Sequence, residues 1–432
     1  MKNVKLNYDG AVAERGTPER VRLIEKCMSG AEAGEPITVA FLGGSITQGS
    51  VATDDTLCYA YRVYDWFRQG FPQSEIKYVN AGIGATDSEY AAARLKEHLL
   101  AHRPDFVLME FSVNDECEDH FMETYEGAVR QILSYREDVA FMLMANVFYN
   151  NGANSERIHR RIARHYGLPM VSMRTTIYDA ILRGEIGNNR EITPDDLHPN
   201  DDGHALVAGV ITHYLDSVRK YGYAGKPSYI EAFTEADREE QQDWDRVAEE
   251  MEHPEENCML PAPLTLNRYE HSVKYDNRNS GSVLKAMQGF TPDDSPRTAV
   301  RDCFKEGYSA TAPGSYAEYE VEGSCIAIQY RRTISQPAPR ARVLIDGAEA
   351  TIPGTEGETE QGMQSAGAGP LILDANFDET WGDKLVLTDV HMSETVGKHA
   401  VRIEIIDDGI AEYKGDFYLA GIIVSGKVNT VE

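Results

Sequence analysis

No run of about 18 consecutive apolar residues occurs in the 432-residue chain, so no helical membrane span is expected. The opening stretch, MKNVKLNYDGAVAERG, has no apolar core and no small-residue cleavage site, so no secretory signal is expected. The cytoplasm is the expected location, or the cell exterior if a signal has been removed. Basic residues are scarce: 42 Lys and Arg stand against 70 Asp and Glu, a formal charge of −28. Such a surface repels phosphate backbones and acidic polysaccharides, so nucleic acid is not an expected partner and a neutral ligand is. The six cysteines (Cys27, Cys58, Cys117, Cys258, Cys303, Cys325) form no CxxC pair, which excludes a zinc pattern and a disulfide framework. They read as buried free thiols. No repeat of fixed period is present. The oligomeric state is left open; a homo-oligomer is compatible with the sequence.

What is present is enough chain for two cores. Between about residues 36 and 222, apolar runs alternate with helical patterns. ITVAFLG (37–43), IKYVNAGI (76–83), DFVLMEFSV (105–113), VAFMLMANVF (139–148) and LPMVSM (168–173) read as strands buried on both faces. DSEYAAARLKEHLLAH (87–102) and FMETYEGAVRQILSY (121–135) read as helices. Strand–helix alternation implies an α/β fold, a parallel sheet with helices on both faces. The first domain is expected over residues 1–230. A charged helix (233–251) and a linker follow within 231–258. Residues 259–432 then carry short alternating strands without helices, at 316–331, 341–347, 383–390, 399–406 and 417–426, expected to form a β-sandwich or jelly roll. The segment 353–370 reads as a long loop.

The stretch AFLGGSITQG (40–49) places Ser45 just past a strand end, where open α/β sheets bind ligands. A phosphate loop is excluded because Ser50 and Val51 stand where its Lys and hydroxyl pair belong. A G-x-S-x-G elbow fails because Thr47 takes the last glycine position. A plain strand-to-helix turn remains open. A nucleophilic serine needs a base, and the base needs an orienting carboxylate. TPDDLHPNDDGH (193–204) offers Asp195 and His198 three apart in one loop; by themselves they also read as turn and surface residues. An acyl-transfer site needs oxyanion donors. Asn114, in FSVNDE, follows one strand, and the small residues of NAGIGATDS follow another.

Taken together, GGSIT, NAGIGATDS, SVND and DDLHP resemble the four sequence blocks of the SGNH hydrolases, the GDSL-type esterase and lipase superfamily. The resemblance covers residues 36 to about 220 and implies a three-layer, flavodoxin-like α/β/α domain. It implies Ser45, Asp195 and His198 as catalytic residues. It also implies oxyanion donors from the Ser45 N–H, the N–H of Gly84 or Ala85, and the Asn114 side chain. No metal or organic cofactor is implied. Gly44 stands where many members carry Asp, and Ser112 where they carry Gly.

The two-domain layout resembles bacterial carbohydrate acetylesterases. The expected substrate is an acetylated xylan- or mannan-type oligosaccharide, cleaved through an acyl-enzyme. A lysophospholipase or acyl thioesterase, and a non-catalytic carbohydrate-binding protein, remain alternatives. Trp381 reads either as a sugar platform or as a plug between domains. His98 and His102, in HLLAH, read as helix-end residues rather than a metal pair. His204 is assigned to the helix after the Asp195–His198 loop.

Overall fold

The structure is a computed structural model that describes residues 4–224, 260–351, 370–379 and 381–426. The charged helix expected over 233–251 and, apart from Pro370, the loop expected over 353–370 lie outside the described residues. The chain divides into two compact units: Met1–Ser88 with Leu95–Leu266, and Glu89–Arg94 with Asn267–Glu432. Among the described residues no helix is long and apolar enough to cross a membrane.

In chain order the first unit holds β1 (Val12–Glu14), α1 (Pro18–Glu32), β2 (Ile37–Gly43), α2 (Ser45–Gln48), α3 (Tyr59–Gly70) and β3 (Ile76–Gly82). There follow α4 (Ser88–His98, of which Glu89–Arg94 is grouped with the second unit), β4 (Phe106–Glu110), α5 (Asp119–Tyr135), β5 (Ala140–Ala145), α6 (Glu156–His165), β6 (Met170–Ser172), α7 (Asp179–Leu182) and α8 (Asp201–Tyr221). The sheet order is β1-β6-β5-β4-β2-β3. Strands β2 to β6 run parallel, and β1 pairs antiparallel to β6. Counting only the parallel strands, the order is 2-1-3-4-5, the flavodoxin-like arrangement. Its switch point lies at β2, with the next strand in the chain on one side and the third on the other. All seven residues of β2 are buried, which is why the run ITVAFLG is apolar throughout. Strand β3 differs from the expectation of two buried faces: as the edge strand, it has Tyr78, Val79 and Asn80 only half-buried.

The helices begin and end where their local chemistry dictates. Thr17 caps α1 by accepting the Arg20 N–H, and Pro18 sits at its first turn, where a missing N–H costs nothing. Asn200 caps α8 by accepting the Asp202 and Gly203 N–H groups at 3.1 and 3.0 Å, a contact of about 1 kcal/mol. This fixes the chain direction immediately after His198. Glu126 of α5 accepts the N–H groups of Leu264 and Thr265, which holds that stretch on the α/β unit.

The second unit is all-β: β7 (Val273–Tyr275), β8 (Leu284–Gln288), β9 (Thr291–Pro292), β10 (Tyr308–Ala310), β11 (Tyr316–Arg332), β12 (Arg340–Ile345), β13 (Ala348–Glu349), β14 (Ile372–Asp374), β15 (Lys384–Ile405) and β16 (Phe417–Ser425). They form one ten-stranded sheet with antiparallel pairing throughout. The first half of β11 pairs with β8 and the end of β15; its second half pairs with β16 and the start of β15. Register shifts near Gly323 and Ile326 mark the change-over. The unit has a hydrophobic core containing Ala317, Tyr319, Ile326, Ile328, Ile403 and Leu419. The strands expected at 383–390 and 399–406 are therefore one strand. The polar interval between them leaves Ser393–Val396 without a partner on β11, and the pairing continues on either side, at Met392 with Cys325 and at Gly397 with Gly323.

The cysteines are free where described, but not all are buried: Cys58 and Cys325 are, Cys27 and Cys303 are half-buried, and Cys117 is exposed. Cys117 lies in the loop before α5, where the Arg157 Nε donates to its sulfur at 3.3 Å.

Candidate active site

Ser45 is the first residue of α2, two residues beyond the end of β2, and is 7% exposed. The two preceding glycines are there for space. A Cβ on Gly43 would lie 2.1 Å from Thr47 Oγ1 and 2.7 Å from the Glu110 carbonyl. A Cβ on Gly44 would lie 2.3 Å from Asn114 Oδ1, so the Asn114 amide packs where a side chain would otherwise stand. Thr47 is held from behind by the buried Tyr59 hydroxyl at 2.7 Å.

The loop before α8 supplies the partner groups. His198 Nε2 lies 2.8 Å from Ser45 Oγ, and His198 Nδ1 lies 2.6 Å from Asp195 Oδ2. A carboxylate can only accept, so Nδ1 carries the proton and Nε2 is left with a lone pair facing the serine. Asp195 Oδ1 accepts the His198 N–H at 2.8 Å, the Leu197 N–H at 3.1 Å and the Thr193 hydroxyl at 3.1 Å. Burial pushes this carboxyl up, but the hydrogen bonds from His198 and Leu197 together hold it below the ordinary carboxylate range.

The loop is braced from outside the motif. Asp196 adopts a left-handed φ of 73°, which Asp tolerates better than most residues. Its carboxylate takes Asn189 Nδ2 and, at 2.8 Å, the Arg190 guanidinium, while its carbonyl accepts the Tyr149 N–H at 2.7 Å. His204 lies in α8, as the sequence indicates, and ties that helix to α3 by accepting the Tyr59 N–H at 3.2 Å. Burial lowers its pKa to about 4, so it stays neutral.

The third segment follows β3. The Gly84 N–H donates to Gln48 Oε1 at 2.7 Å and is thereby engaged. Ala85 has φ 56° and is exposed, and no acceptor for its N–H is found among the described residues. Of the two alternatives, Ala85 is thus the one with a free donor. Asn114 follows β4 in a turn closed by its own N–H and that of Asp115 on the Phe111 carbonyl, each at 2.9 Å. Beneath it, Glu110 is wholly buried, with Oε1 accepting both the N–H and hydroxyl of Ser112 at 2.8 Å. Burial pushes the Glu110 carboxyl up to about 7.

Ser45, Ala85, Asn114, Asp195 and His198 are therefore borne by four loops of one unit, three of them directly following β2, β3 and β4. Trp381 belongs to the other unit. It is 58% exposed and stands edge-on to Phe377, with ring centroids 5.2 Å apart. Sequence reasoning missed Gln48, Glu110, Asn189, Arg190 and Asp196. Only Asp196 carried a signal, as an acidic residue inside the Asp195–His198 motif.

The model of the GDSL-like Lipase/Acylhydrolase family matches residues 41–206. A solved two-domain esterase (CEX) active on acetylated mannans, co-crystallised with mannopentaose, is 41% identical with a TM-score of 0.81, covering 99% of this chain and 100% of its own. An acetylxylan esterase of Geobacillus stearothermophilus is 24% identical over 196 residues, which is 39% of this chain and 89% of that protein. Thioesterase 1/protease 1/lysophospholipase L1 of Escherichia coli K12 is 24% identical over 178 residues, 40% of this chain and 79% of that protein.

Proposed function

Because the chain belongs to the GDSL-like lipase/acylhydrolase family and is a carboxylic ester hydrolase, we propose that it removes acetyl groups from mannan- or xylan-type oligosaccharides, with Ser45 as nucleophile. The observation that carries the chemistry is the continuous hydrogen-bonded line from Ser45 Oγ through His198 to Asp195. The full-length likeness to an esterase active on acetylated mannans favours the acetyl-sugar substrate and puts mannans first.

The steps follow from the geometry. His198 Nε2 takes the Ser45 proton as Oγ attacks the acetyl carbonyl. The new charge on the carbonyl oxygen is met by the N–H groups of Ser45 and Ala85 and by the Asn114 amide. His198 then returns the proton to the sugar oxygen, the C–O bond breaks, and the alcohol leaves. Water enters, gives its proton to Nε2 and attacks the acetyl-serine. The same proton returns to Ser45 Oγ as acetate departs. Asp195 keeps the imidazole in the tautomer that can accept at Nε2 and offsets the imidazolium charge. Trp381, exposed in the all-β unit, is a candidate platform for a pyranose ring.

The experiment incubates the full chain and Ser45→Ala with acetylated manno- and xylo-oligosaccharides and with p-nitrophenyl acetate and octanoate. Acetate release is followed by NMR. Acetate is expected from the sugars with the native chain and none with Ser45→Ala. Activity retained by Ser45→Ala would overturn the nucleophile assignment. Octanoate turnover above acetate turnover would point to a lipase or thioesterase instead. Trp381→Ala is expected to raise KM on oligosaccharides and leave p-nitrophenyl acetate unchanged.

A further inference from the structure

Asp115 and His159 form a buried pair that the steps above do not use. Both side chains are 0% exposed, with Asp115 Oδ2 2.9 Å from His159 Nε2. The imidazole stacks on the Tyr125 ring, with centroids 3.6 Å apart and planes 11° off parallel. Burial lowers the His159 pKa to about 3 and pushes Asp115 well above the carboxylate range, so the contact is a hydrogen bond rather than an ion pair.

The other oxygen of Asp115 reaches a second loop. Oδ1 accepts the Ser88 N–H at 2.9 Å. Ser88 lies three residues beyond Ala85, which itself sits in a turn closed by Thr86 Oγ1 donating to the Ile83 carbonyl at 2.7 Å. The Ser88 hydroxyl is itself fixed on Thr124 Oγ1 at 2.6 Å. On the near side, Asp115 directly follows Asn114, its carbonyl accepts the Ser155 hydroxyl, and the Ser155 N–H donates to the Ser112 carbonyl at 2.7 Å. One carboxyl group thus joins the segment bearing Ala85 to the segment bearing Asn114. Two polar side chains buried this deeply are costlier than an apolar pair of similar volume. What they add is a set distance between two loops that share no strand pairing beyond β2.

We propose that Asp115, anchored by His159, is a positioning residue that sets the separation of the Ala85 N–H and the Asn114 amide, and with it the geometry of the oxyanion site. The proposal rests on the ester-hydrolase reading of Ser45, and its test separates the two.

Asp115→Ala, Asp115→Asn, His159→Phe, Asn114→Ala and the double variant Asn114→Ala with Asp115→Ala are made in the full chain. Each is assayed on p-nitrophenyl acetate after active-site titration with diethyl p-nitrophenyl phosphate, so that only folded sites are counted. Asp115→Ala is expected to lower kcat about 100-fold, the scale of losing one oxyanion donor, with KM within about twofold. Asp115→Asn keeps an acceptor for Ser88 and should recover to within about fivefold of the native rate. His159→Phe keeps the stack on Tyr125 and loses only the anchor, so about a tenfold fall in kcat is expected. The double variant should lose much less than the product of the single losses, because both act on one donor. A titrated kcat that Asp115→Ala leaves unchanged overturns the proposal, as does a double variant showing the full product. If Asp115→Ala does not fold, His159→Phe decides by the same criterion: an unchanged kcat overturns it. An inactive native chain would instead sink the ester-hydrolase reading itself.

Discussion

Ser45 and His198 meet across 2.8 Å, yet the two loops that bring them together are held by opposite means. On the serine side, position is set by exclusion. Gly43 and Gly44 leave no room for a Cβ, Thr47 and Tyr59 bond in a dry interior, and a buried Glu110 lies beneath. On the histidine side, position is set by polar contacts at the surface. The Asp195 side chain is 46% exposed and that of His198 23%, and the Arg190 guanidinium bracing Asp196 is 53% exposed. A packed wall transmits the displacement of a single atom. A polar scaffold in contact with water replaces a lost contact with a solvent one. The serine side should therefore be intolerant of additions, and the histidine side tolerant of deletions except at the groups that move protons.

That contrast can be broken at four points. The largest effect is expected at the exception: Asp195→Asn should lower kcat about 10³-fold by releasing the wrong imidazole tautomer, with little change in thermal stability. A loss of less than tenfold would show that the scaffold alone orients His198. Next is Glu110→Gln, read by urea unfolding from pH 4 to 8. The folded-state pKa of about 7 lies above the unfolded value of about 4.3, so the folded chain holds a proton that the unfolded chain has released. The native protein should have this contribution in full below pH 4.3 and lose it as pH rises to 7. The difference is on the order of 3 kcal/mol relative to the Gln variant, whose profile should lack that fall. Parallel profiles would refute it. Gly44→Ala should then cost about 100-fold in kcat at nearly constant KM, because the new methyl displaces the Asn114 amide; a crystal structure with Asn114 unmoved would contradict the mechanism. Smallest is Arg190→Ala, an exposed pair with Asp196, expected to cost under about 1 kcal/mol and no more than about threefold in kcat. A larger loss would mean that the histidine side is as rigid as the serine side.

The same contrast governs what could be read from the chain. The strands β2, β4, β5 and β6 were legible because burial on both faces leaves an apolar run, and the candidate site residues Ser45, Asn114, Asp195 and His198 because each sits in a short local motif. What escaped depends on contacts between distant segments. The Gly84 N–H is taken by Gln48, 36 residues away, and nothing near Gly84 announces it. Asp115 sits beside Asn114, but its partner His159 is 44 residues on. Strand β1 has only three residues and lacks a period to detect. The long β15 reads as two strands because its middle is polar, although its pairing with β11 resumes beyond Ser393–Val396.

That continuity has a consequence for the all-β unit. Strand β11, of 17 residues, pairs with β8 at its start and with β16 over its second half, and strand β15, of 22, runs beside both parts of it. A thread woven into both the β8 and the β16 pairings leaves no seam along which one could peel from the other. The amide protons of Tyr319 and Ile328, on opposite halves of the same strand, should then escape to solvent only through a single shared opening.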